Sequence, residues 1–270
     1  MKILLTGGSG FIGNYLKTQL SVNHTIISPS SKDLDLENFN SVQTFFQDQE
    51  FDAVIHAAGR GRNNVYDIDE KISSQIITQF YNLYSVKKYF KRFINFGSGA
   101  EFGLSRDIVS VKEDDIFTVL PFEGYGFAKN LISRAIRNIP EFYNLRVFSC
   151  FDPSESNTRL LKKFQDSVNR NKVFSIQDRY LDVVTLKDLS IVVESVLDNK
   201  IKHRDINVVY LKKLLVSDIL NKYCEIKNID PKFIFVESYS KLNYTGDGSR
   251  LSECDLRLEG LEPTLEKYTK

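Results

Sequence analysis

The chain contains 270 residues, and its 36 basic and 35 acidic side chains leave a formal net charge of +1. This balance excludes a large nucleic-acid or anionic-membrane surface, and no apolar run approaches the length of a membrane span. The three cysteines are widely spaced and odd in number, and no signal-peptide pattern follows Met1, so we expect a cytoplasmic protein without disulfides. The three histidines are isolated from one another, which predicts no metal site.

The N-terminal stretch predicts a phosphate-binding turn. Residues 2–13 read KILLTGGSGFIG, a short apolar strand that runs into Gly7, Gly10 and Gly13, and residues 14–20 continue with helical spacing. A strand that turns into a helix presents unpaired N–H groups and the positive end of the helix dipole, which together suit a pyrophosphate. We therefore expect Gly7, Phe11, Ile12 and their neighbouring glycines to contact a dinucleotide. A glycine-rich turn that binds nothing is the alternative.

The segment after the second predicted strand bears on the choice of dinucleotide. Residues 24–28 predict that strand, and Pro29 ends it. Residues 28–32 then occupy the place where NAD-selective folds carry an acid against the ribose 2′-hydroxyl. This chain has hydroxyls there, including Ser31, together with Lys32. These side chains would accept the extra phosphate of NADP, although an ordinary polar turn would look the same.

The next elements alternate between helix and strand. Helical patterns are predicted over 41–49, 69–89 and 125–138, and apolar strands over 52–56, 92–98 and 145–149. This alternation predicts an α/β Rossmann fold, a doubly wound parallel sheet that binds ligands at the carboxyl ends of its strands. Ala57, Ala58 and Gly59 follow the third strand, and such small residues let a flat ring lie against the backbone. His56 is expected to be a packed strand residue rather than a catalyst.

The alternation becomes looser in the second half of the chain. Helices are predicted over 157–169, 187–197 and 217–224, strands over 179–184 and 206–209, and an irregular tail to residue 270. We expect a dinucleotide-binding domain over 1–150, to which 180–209 return. Residues 151–179 and 210–270 then form a small interwoven C-terminal substrate lobe.

Three side chains together indicate hydride-transfer chemistry. Tyr125 and Lys129 are four residues apart and share one helix face, and Ser98 ends a strand at the sheet edge that also carries the glycine turn. The lysine ammonium would stabilise a tyrosinate, so that Tyr125 could exchange a proton with a carbonyl or alcohol oxygen. The Ser98 hydroxyl would hold the same oxygen. A tyrosine and a lysine at this spacing usually have a structural role, but their order after the glycine turn favours catalysis.

These motifs resemble those of the extended short-chain dehydrogenases/reductases of the NAD-dependent epimerase/dehydratase family, which act on nucleotide-linked sugars. The similarity is carried by residues 6–13, 54–59, 97–103, 125–129, 145–148, 180–189, 247–251 and 258–263. The resemblance implies that Ser98, Tyr125 and Lys129 are the catalytic residues. It also implies that Ala57, Ala58 and Gly59 contact the cofactor and that Asp35 and Leu36 lie near its adenine. Ser74 takes the place of a family asparagine, and helices 70–89 and 125–138 resemble the pair through which members form homodimers.

The family resemblance leaves several reactions open. Its dehydratases use an Asp-Glu pair after the catalytic hydroxyl, whereas this chain has Gly99 and Ala100 there, and Glu101 falls one position too late. Dehydration is therefore not expected. A reductase that uses NADPH, with NADH possible, on a nucleotide-linked 4-keto-6-deoxyhexose is favoured. The alternatives are an NAD-dependent 4-epimerase and a catalytically inactive protein that senses nicotinamide nucleotides.

The substrate contacts are less defined by the sequence. Ser98 and Gly99 are expected at the sugar, and Arg159, Arg179 and Arg250 are candidates for the diphosphate, since a guanidinium can bind it with two hydrogen bonds. Ordinary surface arginines are the alternative. Residues 149–153 read SCFDP where the family commonly has Asn-x-Tyr-Gly-Pro, which weakens any substrate assignment by analogy.

Overall fold

A computed structural model of the protein describes residues 1–59, 70–240 and 242–268. Its first half alternates strand and helix. The elements in chain order are β1 (Lys2–Thr6), α1 (Phe11–Leu20), β2 (Thr25–Ile27), α2 (Phe39–Gln47), β3 (Phe51–His56), α3 (Glu70–Ser85), β4 (Phe90–Ser98), β5 (Ile108–Val111), α4 (Gly124–Ile136) and β6 (Phe142–Val147).

The second half mixes short strands with helices. These elements are β7 (Cys150–Phe151), α5 (Leu160–Asn169), β8 (Phe174–Asp178), β9 (Val184–Thr185), α6 (Leu186–Leu197), β10 (Asp205–Asn207), α7 (Val216–Lys227), β11 (Ile234–Tyr239), β12 (Tyr244–Gly246), α8 (Ser249–Ser252) and α9 (Glu262–Lys267). Some helices begin with a side-chain N-cap: the Thr185 hydroxyl, for example, accepts the Asp188 N–H at 3.1 Å and caps the N-terminus of α6.

Six strands form one parallel sheet in the order β10-β6-β4-β3-β1-β2. The chain runs outward from β1 to β2 on one side and then crosses to β3 on the other. The strand order thus reverses between β1 and β3, and in doubly wound folds ligands bind at such a switch point, beyond the carboxyl ends of the strands. The predicted α/β Rossmann fold class is confirmed.

Helices cover both faces of this sheet. Leu16 of α1 and Val192 of α6 belong to one fully buried cluster, with Ile3 and Ile55 of the sheet. Residues of α2, α3 and α4 form the cluster on the opposite face. Parallel strands buried on both faces are mostly apolar on both faces, which explains the apolar runs of β1 and β3.

The C-terminal segments form a smaller apolar cluster of their own. The paired strands β8 and β11 pack with α5, α7 and α9 around Phe164, Leu220 and Tyr223. A fourth cluster, which contains Phe102, Phe148 and Tyr244, lies where β12 pairs with β5. The segment 180–209 contributes α6 and β10 to the layers of the main sheet.

Several predicted boundaries were wrong. The strand predicted over 179–184 lies earlier, at Phe174–Asp178, and the tail predicted to be irregular contains β11, β12 and α9. The strand predicted over 145–149 begins three residues earlier, at Phe142, and α5 begins at Leu160 rather than 157. Helix α3 ends at Ser85 and is followed by a single 3₁₀ turn, whereas the helix was predicted to continue to residue 89. The predicted helix start at residue 69 and the last two residues of the tail lie outside the described residues.

Throughout residues 1–59, 70–240 and 242–268, no helix combines the length and the apolar character needed to cross a lipid bilayer.

Candidate functional site

The glycine turn is built for close backbone approach. Gly7 has φ +71°, and a Cβ atom there would lie 2.5 Å from the Ala58 nitrogen. A Cβ on Gly13 would lie 2.1 Å from the Gly7 carbonyl oxygen, so α1 can start directly against the turn only with glycine. Gly10 caps the N-terminus of α1, and its own N–H donates to the Gly7 carbonyl oxygen at 2.9 Å. Residues of the turn and of the first turn of α1 line a cleft, so the positive end of the helix dipole is available to a pyrophosphate there.

A continuous cleft follows the carboxyl edge of the sheet in three adjoining parts. The first, of about 270 Å³, contains the ends of β3, β4 and β6. The second, also about 270 Å³, runs between the glycine turn and α3, and the third, about 540 Å³, lies beyond β2. Ala58 lines all three parts. A dinucleotide is an extended molecule, and this sequence of connected spaces over a glycine turn fits one.

The three predicted catalytic side chains, Ser98, Tyr125 and Lys129, all line the first part of the cleft. Ser98 is the last residue of β4, and Tyr125 and Lys129 lie in the first two turns of α4. Lys129 is 7% exposed, and its ammonium donates a hydrogen bond of 2.8 Å to the Phe96 carbonyl oxygen. Its charge is thereby held beside the end of β4, where Ser98 stands.

The Ser98 hydroxyl is oriented from two sides. Its oxygen accepts the Ala100 N–H at 3.2 Å and lies 3.5 Å from the Tyr244 hydroxyl. Ser98 is only 5% exposed, and it lines the first part of the cleft. Tyr244 was not predicted as a site residue, since it comes from β12, in the tail that the sequence predicted to be irregular.

Two other ionisable side chains in this part of the cleft, His56 and Cys150, are uncharged at physiological pH. His56 is buried at the end of β3, with Nδ1 2.9 Å from the Thr6 hydroxyl oxygen. Burial, helped by the nearby Lys129 charge, lowers the pKa of His56 to about 3, so that the ring is neutral at physiological pH. Burial raises the pKa of the Cys150 thiol, which keeps that cleft residue protonated and unreactive.

The predicted cofactor residues fall at different places along the cleft. Most of them line it: Gly7, Gly10, Phe11, Ile12, Ser31, Asp35, Leu36, Ala57, Ala58 and Gly59. Gly13 is buried beneath the turn. Ser74 is exposed, and the α3 residues that line the cleft are instead Ile72, Gln75, Ile76 and Gln79. Helical geometry turns Ser74 away from these neighbours, so the structure does not support it as a cofactor contact.

The third part of the cleft differs from the prediction in its charged residues. Lys32 is exposed and is not among the described residues that line it; its backbone N–H donates to the Ser30 hydroxyl at 3.3 Å. The lysine that lines this part is Lys17 of α1, together with the carboxylate of Glu37. Neither residue was predicted. The signal for Lys17 was its position on α1, one helical turn after Gly13.

The three candidate arginines do not share one location. Arg159 lines the first part of the cleft, where its guanidinium donates to the Cys150 carbonyl oxygen at 2.7 Å. Arg179 bonds the Leu242 carbonyl oxygen at 3.5 Å, and Arg250 pairs with Asp114 at 2.8 Å. Of the three arginines, Arg159 lines the described cleft, whereas Arg179 and Arg250 are not among the described residues that line it.

The turn after Ser98 removes the nearby carboxylate from the cleft. Residues Gly99–Phe102 form a 3₁₀ turn instead of a continued strand, and Gly99 packs against Phe148 and Tyr244. Glu101 is fully buried, pairing with Arg146 at 2.6 Å. The described residues that line the first part of the cleft include no Asp or Glu. Among the described residues, no group of three or more His, Cys, Asp or Glu side chains could hold a metal ion.

Comparison with known proteins agrees with this geometry. The model of the family "NAD dependent epimerase/dehydratase" matches residues 3–209. GDP-L-colitose synthase of Yersinia pseudotuberculosis is 30% identical over 140 residues, which are 48% of this chain and 44% of that protein. The chain thus matches less than half the length of the curated relatives found.

Solved structures extend the likeness to almost the whole chain. A dTDP-4-dehydrorhamnose reductase from Clostridium acetobutylicum superposes with a TM-score of 0.79 at 20% identity, covering 99% of this chain and 98% of that one. A GDP-mannoheptose C4 reductase from Campylobacter jejuni with NADP bound gives a TM-score of 0.79 at 17% identity, covering 98% and 96%. With the family model spanning most of the sequence, the glycine turn and the Ser-Tyr-Lys cleft identify this chain as a member of the NAD-dependent epimerase/dehydratase family.

Proposed function

We propose that the protein is an NADPH-dependent reductase of a nucleotide-linked 4-keto-6-deoxyhexose. The observation that carries the proposal is the first part of the cleft, where Ser98, Tyr125 and Lys129 line a space without any described carboxylate. The glycine turn and the remaining cleft provide the room and the backbone amides for a dinucleotide. The similar proteins named above act on nucleotide sugars, which supports this class of substrate.

Each residue has a definite role in ketone reduction. Bound NADPH would supply a hydride to the ketone carbon. Tyr125 donates its phenolic proton to the ketone oxygen, so that the C=O group becomes CH–OH. Ser98 donates a hydrogen bond to the same oxygen and stabilises the negative charge that develops there. Lys129, anchored on the Phe96 carbonyl oxygen at 2.8 Å, stabilises the tyrosinate that remains and would help to hold the bound cofactor.

The position of Glu101 supports reduction over dehydration. Expulsion of a sugar hydroxyl as water requires a side chain that donates a proton to the leaving oxygen and another that removes one from carbon. Glu101, the acid nearest to Ser98 in sequence, is committed to Arg146 and to the Ser98 N–H, at 2.6 and 2.8 Å. It cannot serve as that base without breaking a buried ion pair.

The lining of the third part of the cleft supports NADP over NAD. Ser28, Ser30 and Ser31 place hydroxyls there, and Lys17 adds a positive charge. A 2′-phosphate carries about two negative charges and needs donors and a cation. Asp35 and Glu37 line the same part, so the preference rests on the balance between these groups, and NAD(H) is the alternative cofactor.

The proposal is tested by identifying the bound nucleotide and the reaction together. Mass spectrometry of the purified protein identifies any retained dinucleotide, and NADPH oxidation is then followed spectrophotometrically with a panel of 4-keto-6-deoxy sugar nucleotides. We expect oxidation of NADPH with at least one member and stoichiometric alcohol product. Tightly retained NAD with interconversion of sugar epimers and no net oxidation would contradict the proposal and indicate a 4-epimerase. Binding of a nicotinamide nucleotide without any turnover would indicate a sensor.

A further inference from the structure

A buried polar network lies directly beneath the turn that carries Ser98. Glu101 accepts the Ser98 N–H at 2.8 Å with one carboxylate oxygen and the Arg146 Nε–H at 2.6 Å with the other. Arg146 in turn donates to Ser133 at 2.8 Å and to Asn207 at 3.0 Å. Neither Glu101 nor Arg146 has any exposed surface. A fully buried ion pair costs desolvation energy, and apolar residues would fill the same space at no such cost, so its presence calls for an explanation.

The network connects the serine to the helix of the other catalytic residues. Ser133 lies one turn beyond Lys129 and two turns beyond Tyr125, on the same face of α4. A second bond joins the same two elements, since the Asn130 side chain donates to the Glu101 carbonyl oxygen at 2.8 Å. These hydrogen bonds connect the Ser98 amide, through Glu101 and Arg146, to the helix that carries Tyr125.

The packing leaves little room for movement. A Cβ atom on Gly97 would lie 2.4 Å from the Glu101 carboxylate, so the residue before Ser98 must be glycine for the carboxylate to reach the serine's amide. The Glu101 carboxylate therefore packs against Gly97 and bonds the Ser98 amide at the end of β4, in addition to pairing with Arg146.

We propose that Glu101 and Arg146 are positioning residues, which fix the Ser98 hydroxyl relative to Tyr125 for proton and hydrogen-bond donation to one oxygen. This inference rests on the proposed reductase function for its catalytic consequence. Loss of the Glu101 carboxylate would let the serine shift, and a displacement near 1 Å can reduce a rate by about 100-fold. Cofactor binding, which depends on the glycine turn at the other side of β3, should remain.

A double-mutant cycle separates positioning from a general effect on stability. Glu101→Gln keeps the size of the side chain but cannot accept from both Ser98 and Arg146. In the wild-type background we expect kcat to fall about tenfold or more, with little change in the Kd for NADPH. In a Ser98→Ala background the same change should reduce kcat less than about twofold, because the hydroxyl that it positions is absent. Equal losses in both backgrounds would overturn the proposal.

Glu113→Gln is the matched control. Glu113 is a buried carboxylate of the same region that accepts the Asn207 N–H at 2.8 Å and lies 3.5 Å from Arg250, without contacting Ser98. It should lower stability in the manner of Glu101→Gln while leaving kcat close to wild type; an equal loss of kcat would contradict a specific role for Glu101. Arg146→Lys offers a second variant, which keeps the buried charge but cannot bond Glu101, Ser133 and Asn207 together, and it should repeat the pattern of Glu101→Gln.

An activity-independent measurement distinguishes failure of the positioning role from failure of the proposed function. Hydrogen exchange of the peptide containing the Ser98 amide should be faster in Glu101→Gln than in wild type and unchanged in Glu113→Gln. If the wild-type protein reduces no keto-sugar nucleotide, the proposed function fails, and the exchange rates still decide whether Glu101 holds the serine. Identical exchange in all three proteins would overturn the positioning role.

Discussion

The buried histidine at the cofactor edge should make the protein sensitive to mild acid. The pKa of His56 is about 3 in the folded protein, first because the ring is buried and then because Lys129 is close, whereas it is about 6.5 in an unfolded chain. As the pH falls through 6.5, the unfolded state takes up a proton that the folded state refuses until near pH 3. Stability is therefore lost on acidification across this window. Between pH 7 and pH 5 this linkage destabilises the fold by about 2 kcal/mol.

His56→Gln tests this reasoning, because glutamine keeps a polar group near Thr6 and does not titrate. The free energy of unfolding is measured by urea denaturation at pH 7 and pH 5 for the wild type and the variant. Wild type should lose about 2 kcal/mol more than the variant over this interval. Equal pH slopes for wild type and His56→Gln would show that the folded protein accepts the proton at position 56, and the argument from burial would be wrong.

Three further predictions concern the cleft. Tyr125→Phe should reduce kcat by about a thousandfold while the Kd for NADPH changes little, because only the proton donor is removed; parallel loss of both would show a structural role. Lys17→Glu should raise the KM for NADPH more than the KM for NADH, and comparison with Lys32→Glu decides which lysine faces the 2′-phosphate. If the ratio of the two KM values is unchanged in both variants, the main support for NADP is removed. Gly13→Ala should destabilise the protein by about 1–3 kcal/mol and weaken dinucleotide binding, since its Cβ would lie 2.1 Å from the Gly7 carbonyl oxygen. Gly10→Ala, with its nearest contact at 3.3 Å, should cost less, and thermal unfolding with and without NADPH measures both.

The parts of the fold that were predictable are those with strong local patterns. Apolar strands that alternate with amphipathic helices revealed the sheet, and the rule that ligands bind at the carboxyl ends of parallel strands placed Ser98 and Tyr125 at one edge. Strand β11 escaped prediction because it has no fully buried side chain, and β12 because it is only three residues long. Their pattern resembles that of a polar loop.

The unpredicted part of the site depends on contacts distant in sequence. Tyr244 meets Ser98 across 146 positions, and the pairing of Glu101 with Arg146 spans 45. One signal for the second contact was present in the sequence. Asn144 and Arg146 alternate with apolar residues in a strand that is buried on both faces, and Asp205 and Asn207 repeat the alternation in its neighbour β10. Polar residues at every second position of buried strands indicate a hydrogen-bonded layer under the sheet.

The contact between Tyr244 and Ser98 has a consequence for biosynthesis. Ribosomes deliver the chain from its N-terminus, so the glycine turn, the central sheet and α4 can fold before β12 has been translated. Until then Ser98 lacks its contact with Tyr244, and the Asp182 carboxylate lacks the Gly246 N–H, which it accepts at 2.8 Å. A nascent chain can therefore form the glycine turn and the cleft beside it before Ser98 is fully enclosed. The surroundings of Ser98 are complete only after the C-terminal strand β12 has been translated.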